Sequence, residues 1–250
     1  MTISKHRNDH PPLLFNNAHL SETDTHKHLG LLLHHSLSWH THIIHLHQKV
    51  MTKPNRLRSF FNLVPRHALL TIYKTNILPA FDYGSIIYDN CSVYDNRMFN
   101  KAQLSAAKII LGCLKTTSSN DVLADPNLTS LHLRREISLL CYVSKLIFDM
   151  VPYPFPASSF RSFKEFVPHA LRHNQNVQIP LFKKSLSYNF FLCKASSLWN
   201  SLPLELKSSA SHSIFMKRLN SYYHISKKYS SFVRTQSPYD FHSLFASLRP

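Results

Sequence analysis

The chain has 250 residues, which is enough for one large or two small domains. Lysine and arginine total 29 against 13 acidic residues, and the formal net charge of +16 favours a polyanionic partner, either nucleic acid or an acidic membrane face. There is no signal peptide, no apolar run of membrane-spanning length and no C-x-x-C pair among the four cysteines. These absences argue against secreted, membrane-spanning and zinc-ribbon proteins and favour an intracellular one, in the nucleus or cytoplasm.

The N-terminal residues 1–37 predict short β-structure. Two apolar runs flank Asn16-Asn17, and such a pair between short strands suits a hairpin turn. A further strand is predicted from His28 to Leu33, with Gly30 as a bulge within it.

An amphipathic helix is predicted over residues 38–61. Its inward face carries residues spaced three and four apart, namely Trp39, Ile43, Leu46 and Val50. Pro54 is expected to break this helix, because a proline in a helix interior costs roughly 3 kcal/mol. The polar side carries four candidate phosphate contacts, Lys49, Lys53, Arg56 and Arg58. The alternative for these four is an ordinary solvated face.

Residues 69–112 predict a helical hairpin whose two helices are joined by an aromatic elbow, Ala80 to Asn90. The first helix buries Leu69, Ile72, Tyr73 and Ile77 and is expected to stop at Pro79, with Leu78 extended. The second helix places Phe99, Ala102, Ala106, Ile109 and Cys113 on one face, and Lys101 and Lys108 lie off it as further candidate contacts. Small residues at Ala102, Ala106 and Ala107 would let another helix approach closely.

The remaining chain predicts more helices and a boundary. Ser130 is a plausible cap for a helix whose first turn carries Arg134 and Arg135, two more candidate nucleic-acid contacts. Residues 151–160 are proline-rich and predict an extended linker. A basic helical region is predicted over 161–226, with Trp199 in its core, and a loose tail over 227–250.

Three strings in this order, LPAFDY (78–83), YDNCS (88–92) and AAKIILG (106–112), resemble the thumb region of reverse transcriptases from non-LTR (LINE-type) retrotransposons. KHLG (27–30) with LSW (37–39) resembles the junction between palm and thumb in the same family. LHLRR (131–135) and the segment around LWNSLP (198–203) extend the resemblance over most of the chain.

The resemblance implies that this region grips a primer–template duplex. His28 and Gly30 would then match a palm hairpin at the growing primer end, where a glycine without Cβ can lie close to a sugar–phosphate backbone. The implied fold is mainly α: a palm-remnant hairpin over 1–37, a helical thumb-like domain over 38–150 and a small helical C-terminal region.

The catalytic residues of such a polymerase are missing, because it needs converging carboxylates and the sequence has no adjacent pair of acidic residues. Asp82, Asp89 and Asp95 suit turn and cap roles better. The resemblance implies that fingers, catalytic palm and endonuclease would lie upstream of Met1. The prediction is sequence-independent binding of an RNA/DNA duplex or single strand, with no polymerisation, no cofactor and no membrane. The alternative is a non-functional relic or an interaction module with no nucleic-acid role.

A histidine-rich stretch offers a third class of function. The chain has 18 histidines, and six of them crowd between His34 and His47. His42 and His45 stand three residues apart on a helix, a spacing that can bind zinc or nickel. Surface pairs of this kind are usually incidental, and no metal site is predicted.

Overall fold

The computed structural model describes residues 14–19, 23–123, 125, 128–152, 176–179 and 191–232. The chain is mainly helical, with short antiparallel hairpins before the helices, as predicted. It divides into two compact units. Unit 1 comprises residues 1–122 and 130–135, and unit 2 comprises residues 123–129 and 136–250. The predicted linker over 151–160 lies outside the described residues beyond Pro152.

The first hairpin has the predicted turn. Strand β1 (Leu14–Phe15) pairs with β2 (Ala18–His19). Asn16 and Asn17 between them have φ of 47° and 61°. Asparagine tolerates this left-handed backbone better than most residues, which explains the turn at this pair.

The second hairpin corrects the predicted strand over 28–33. Strand β3 (Thr25–His28) pairs with β4 (Leu31–His34), and Leu29-Gly30 form a two-residue turn with φ of 46° and 83°. Two successive positive φ values give the turn whose twist matches the paired strands. Gly30 is therefore a turn residue and not a bulge.

Helix α1 (His40–Ser59) runs unbroken through Pro54, so the predicted break is wrong. The proline ring is buried and continues the stripe that packs inward: Ile43, Leu46, Val50, Pro54 and Leu57. Trp39, predicted on that face, lies at the helix N-cap and is only half-buried. Burial of the Pro54 ring within the inward stripe offsets the backbone hydrogen bond that proline cannot donate.

The helix expected to stop at Pro79 also continues. Helix α2 (Arg66–Ile72) passes through a π-helical turn (Tyr73–Ile77) into α3 (Leu78–Asp82). Leu78 is helical, with φ −56° and ψ −43°, and its N–H donates to the Tyr73 carbonyl five residues back. In a regular helix the ring of Pro79 would clash with the backbone carbonyl four residues earlier. The wider π turn lies at that position, directly before Pro79.

Helix α4 (Val93–Leu111) forms with α1 the most extensive helix pair among the described elements. The Ser92 hydroxyl caps its start by accepting from the Asp95 N–H at 3.1 Å, and Gly112 ends it with φ 66°. The predicted small residues are fully buried: Ala102, Ala106 and Ala107. Small side chains at such a contact permit close approach of the helix axes.

The remaining helices are α5 (Ser119–Leu123), α6 (Leu131–Ile147), α7 (Phe191–Ser201), α8 (Leu204–Lys207) and α9 (His212–Phe232). Ser130 caps α6 as predicted, accepting from the Leu133 N–H at 3.3 Å. Within unit 2, Trp199 is buried against Phe215, with ring centroids 5.3 Å apart. Because α9 extends to Phe232, it includes the first residues of the segment predicted to be loose.

Candidate nucleic-acid interface

The four cations predicted on one polar side of α1 divide between two sides of the helix. Lys49, Lys53 and Arg56 recur at intervals of four and three residues and share one flank. Arg58 follows Arg56 by two residues, so its side chain leaves the helix about 200° around the axis from that of Arg56. The four candidate contacts on the polar side of α1 therefore lie on two flanks of the helix.

Arg58 instead joins a groove in unit 1 with residues of α4 and of the segment that follows α4. The groove has a volume of about 670 Å³. Its basic lining residues are Arg58, Lys101, Lys108 and Lys115, and among the residues that the structure describes no acidic side chain lines it. Its lining also includes apolar side chains, Phe61, Leu104, Ile109 and Leu114. We call this feature the basic groove.

Local hydrogen bonding fixes one cation of the basic groove. The Lys108 ammonium donates to the Lys115 carbonyl at 2.5 Å. An ammonium has three donors, so two further N–H bonds of Lys108 can reach an anion. The bond also ties the last turn of α4 to the chain that follows it, which positions Lys115 at the same groove.

Phe61 lies close to the glycine that ends α4. A Cβ built at Gly112 would come within 3.1 Å of the Phe61 Cζ atom, so a side chain there would push the ring by a few tenths of an ångström. The positive φ of Gly112 independently favours glycine at this helix end. Phe61 keeps 40% of its surface exposed.

The other flank of α1 carries cations away from the basic groove. The Lys53 ammonium donates to the Asn76 carbonyl at the π-helical turn. Partial burial, with a smaller contribution from Lys49, lowers the pKa of Lys53. Lys49 and Arg56 are exposed.

The two arginines of α6, predicted as phosphate contacts, both form ion pairs with aspartates of unit 1, and Arg135 is buried whereas Arg134 is 31% exposed. Arg134 makes a two-pronged contact with Asp82, with Nε to Oδ1 at 3.0 Å, and this hydrogen bonding raises the pKa of Arg134. Arg135 is 6% exposed, its Nε lies 3.2 Å from Asp89 Oδ1, and it donates to Asn96 Oδ1 at 2.6 Å.

Asp82, Asp89 and Asp95, for which turn and cap roles were predicted, make contacts within unit 1, and the ion pairs of Asp82 and Asp89 were not predicted. Asp95 is buried at the start of α4, where it accepts from the Ser92 hydroxyl at 2.7 Å and lies 2.6 Å from His40 Nδ1. Asp82 and Asp89 pair with the arginines of α6.

The turn of the second hairpin, Leu29-Gly30, lies against Tyr83. The Tyr83 hydroxyl donates to the Leu29 carbonyl at 2.5 Å, and a Cβ at Gly30 would lie 3.4 Å from the Tyr83 ring. His28 is exposed on β3. Neither His28 nor Gly30 lines the basic groove. The space beside Gly30 thus accommodates a tyrosine ring.

Of the two histidines weighed as a metal pair, His42 is buried and His45 is exposed. His42 is 4% exposed, and its Nδ1 accepts from the Leu32 N–H at 3.3 Å. Burial, assisted by His45, lowers the pKa of His42. In the described ranges, no group of three His, Cys, Asp or Glu side chains is placed to hold a metal ion.

The comparisons with known proteins add no relative: no family model, curated protein or solved structure matches the chain. Across the residues that the structure describes, no helix combines the length and apolar character that a membrane crossing needs.

The basic groove therefore joins three predicted residues, Arg58, Lys101 and Lys108, and adds Lys115 and Phe61, which sequence reasoning missed. The basic character of Lys115 was visible, but its approach to Lys108 depends on the turn after Gly112.

Proposed function

We propose that this protein binds nucleic acid through its phosphates, without reading sequence, and that it catalyses no polymerisation. The proposal joins the resemblance to the thumb and C-terminal region of non-LTR reverse transcriptases with the chemistry of the basic groove. Its binding residues are Arg58, Lys101, Lys108 and Lys115. We place the protein inside the cell, in the nucleus or cytoplasm, where such a partner is found.

The observation that carries the proposal is the convergence of four cations on a groove that, over the described part of the chain, has no acidic lining residue. Lysine and arginine contacts to phosphate give affinity by releasing condensed counterions, and they carry no sequence information. The apolar lining suits the less polar parts of a nucleotide and would be poorly suited to a small inorganic anion.

The absence of polymerisation rests on the carboxylates. Two-metal phosphoryl transfer needs acidic side chains that converge on ions about 4 Å apart. Asp82 and Asp89 are each paired with an arginine, and the Asp95 carboxylate accepts a hydrogen bond from Ser92, the N-cap of α4. We therefore assign to the chain a binding role alone.

Fluorescence anisotropy with a labelled RNA–DNA hybrid at several salt concentrations tests the proposal. Four neutralised phosphates give a slope of log K against log salt of about −3.6, so affinity falls about 150-fold between 50 and 200 mM salt. Binding of the hybrid that is unchanged over this range, or no binding of either the hybrid or a single strand at micromolar protein, would contradict the proposal and favour the interaction module or relic.

A pair of charge-matched variants locates the site. The groove variant combines Lys101→Gln, Lys108→Gln and Lys115→Gln, and it should flatten the slope by about 2.7. The control removes three exposed cations of unit 1 outside the groove, through Lys49→Gln, Arg56→Gln and Lys74→Gln. Equal losses in both variants would assign binding to diffuse charge and not to the groove.

A further inference from the structure

We propose that the basic groove takes unpaired nucleotides in preference to a duplex, with one base stacked on Phe61 and the flanking phosphates on the lysines. This inference rests on the proposed function and deepens it by naming the form of nucleic acid bound. Three observations carry it: the volume of the groove, its aromatic side chain and the placement of its cations.

The volume argues for an unpaired strand. At about 670 Å³ the basic groove falls in the range of pockets that enclose a single drug-sized ligand. Such a space accepts about one or two nucleotides. A base-paired helix has its bases stacked inside, so it could reach only the rim.

The aromatic side chain gives an unpaired base a contact that a duplex cannot use. Phe61 packs its distal ring edge on Gly112 and keeps 40% of its surface exposed where it lines the groove. Aromatic stacking is sequence-tolerant, because every base has a π-face. A base on Phe61 therefore adds affinity and keeps the binding independent of sequence.

The cations are placed on the elements that meet around this ring. Arg58 lies three residues before Phe61, and Lys108 lies one helical turn before Gly112. The bond from Lys108 to the Lys115 carbonyl orients one ammonium in advance. A strand with its base on Phe61 would have phosphates on either side of that base within reach of this set.

The adjacent Phe60 supplies a matched control, since it is exposed to a similar extent (44%) and does not line the basic groove. The experiment compares Phe61→Ala with Phe60→Ala on the full chain by fluorescence anisotropy at fixed low salt. The probes are an oligothymidylate, a duplex of equal length, and a strand of the same length made of abasic sugars.

Three results are expected. The oligothymidylate binds the unaltered chain more tightly than the duplex does. Phe61→Ala weakens its binding by about 5- to 150-fold, the range for loss of one stacked base, whereas Phe60→Ala changes it little. The abasic strand binds both variants and the unaltered chain alike, because it has no base to stack.

Phe61→Leu keeps apolar volume at the contact with Gly112 and removes only the aromatic face. This variant replaces Phe61→Ala if Phe61→Ala loses its helical circular dichroism. It should weaken binding of the oligothymidylate to the same extent and leave binding of the abasic strand unchanged.

The inference is overturned if the duplex binds as tightly as the oligothymidylate, if Phe61→Leu binds the oligothymidylate normally, or if it weakens the abasic strand equally. In each of these cases the lysine groove variant would still lose binding, so the proposed function would stand. Failure of all three probes to bind the unaltered chain would overturn both proposals together.

Discussion

Replacement of Arg135 distinguishes an internal arginine from a phosphate contact. Its side chain is 7% exposed and that of Asp89 is 10% exposed, with Nε and Oδ1 3.2 Å apart. Arg135→Met keeps the length and apolar stem of the side chain but removes its charge and the bond to Asn96. The substitution leaves the buried Asp89 carboxylate without this cation.

The expected loss is large because both partners are buried. Removing one member of a buried ion pair costs about 3–5 kcal/mol, most of it from the charge that stays behind. For a chain of this size the melting temperature should fall by about 6–20 °C. Circular dichroism during thermal unfolding measures this shift.

The same variant tests the alternative directly. Below its melting transition, Arg135→Met should bind nucleic acid as tightly as the unaltered chain and with the same salt slope. Adding Asp89→Asn should recover part of the lost stability, because it removes the buried carboxylate that Arg135 faces in the unaltered chain. An unchanged melting temperature with a flatter salt slope would refute the internal assignment and restore Arg135 as a phosphate contact.

Three further substitutions test the packing. Gly84→Ala should cost about 1–2 kcal/mol in thermal unfolding, since Gly84 has φ 65° and its Cβ would lie 2.9 Å from Leu31 Cδ2; unchanged stability would contradict this. Burial lowers the pKa of His42 below its usual 6.5, so the unfolded chain binds more protons than the folded chain below about pH 6.5. The free energy of unfolding should therefore fall as the pH drops below about 6.5, and urea titrations of His42→Gln should show a weaker fall. Asn200→Ala removes both hydrogen bonds to the Val177 backbone, at 2.8 and 2.9 Å, and amide exchange at Val177 should accelerate unless that segment is held elsewhere.

Helix faces were predictable because a period of 3.6 residues decides them. Ile43, Val50, Phe99 and Trp199 were placed inward by spacing alone, and all four are buried. The Asn16-Asn17 turn was predictable for a similar reason, since it follows from the local backbone preference of asparagine.

The two proline predictions failed because they weighed only local propensity. Pro54 remains helical where its ring completes a buried stripe, and Pro79 remains helical where a π turn precedes it. The outcome at Pro54 depends on the burial of its ring against other parts of the chain, whereas the π turn before Pro79 is a local adjustment of the backbone. Tertiary contacts like those of the Pro54 ring commonly override local preference.

The site was predictable only in part, because its members come from separate helices. Lys101 and Lys108 share a face of α4 by spacing, but their approach to Arg58 requires the packing of α1 on α4. Arg134 and Lys108 are equally basic in sequence. The two differ in their acidic neighbour. Asp82 lies 52 residues before Arg134 in the sequence, and the fold brings it into contact with Arg134 and not with Lys108.

This distribution of acidic partners strengthens the field of the basic groove. Asp82 and Asp89 are held by the arginines of α6, and Asp95 is buried at the start of α4. A carboxylate beside a lysine would compete with phosphate for it, and screening confines such competition to about 10 Å at 0.1 M salt. Because these three carboxylates are engaged in internal contacts and none of them lines the groove, they do not compete with a ligand for Lys101, Lys108 and Lys115. The internal pairs of unit 1 therefore determine where its excess positive charge can act.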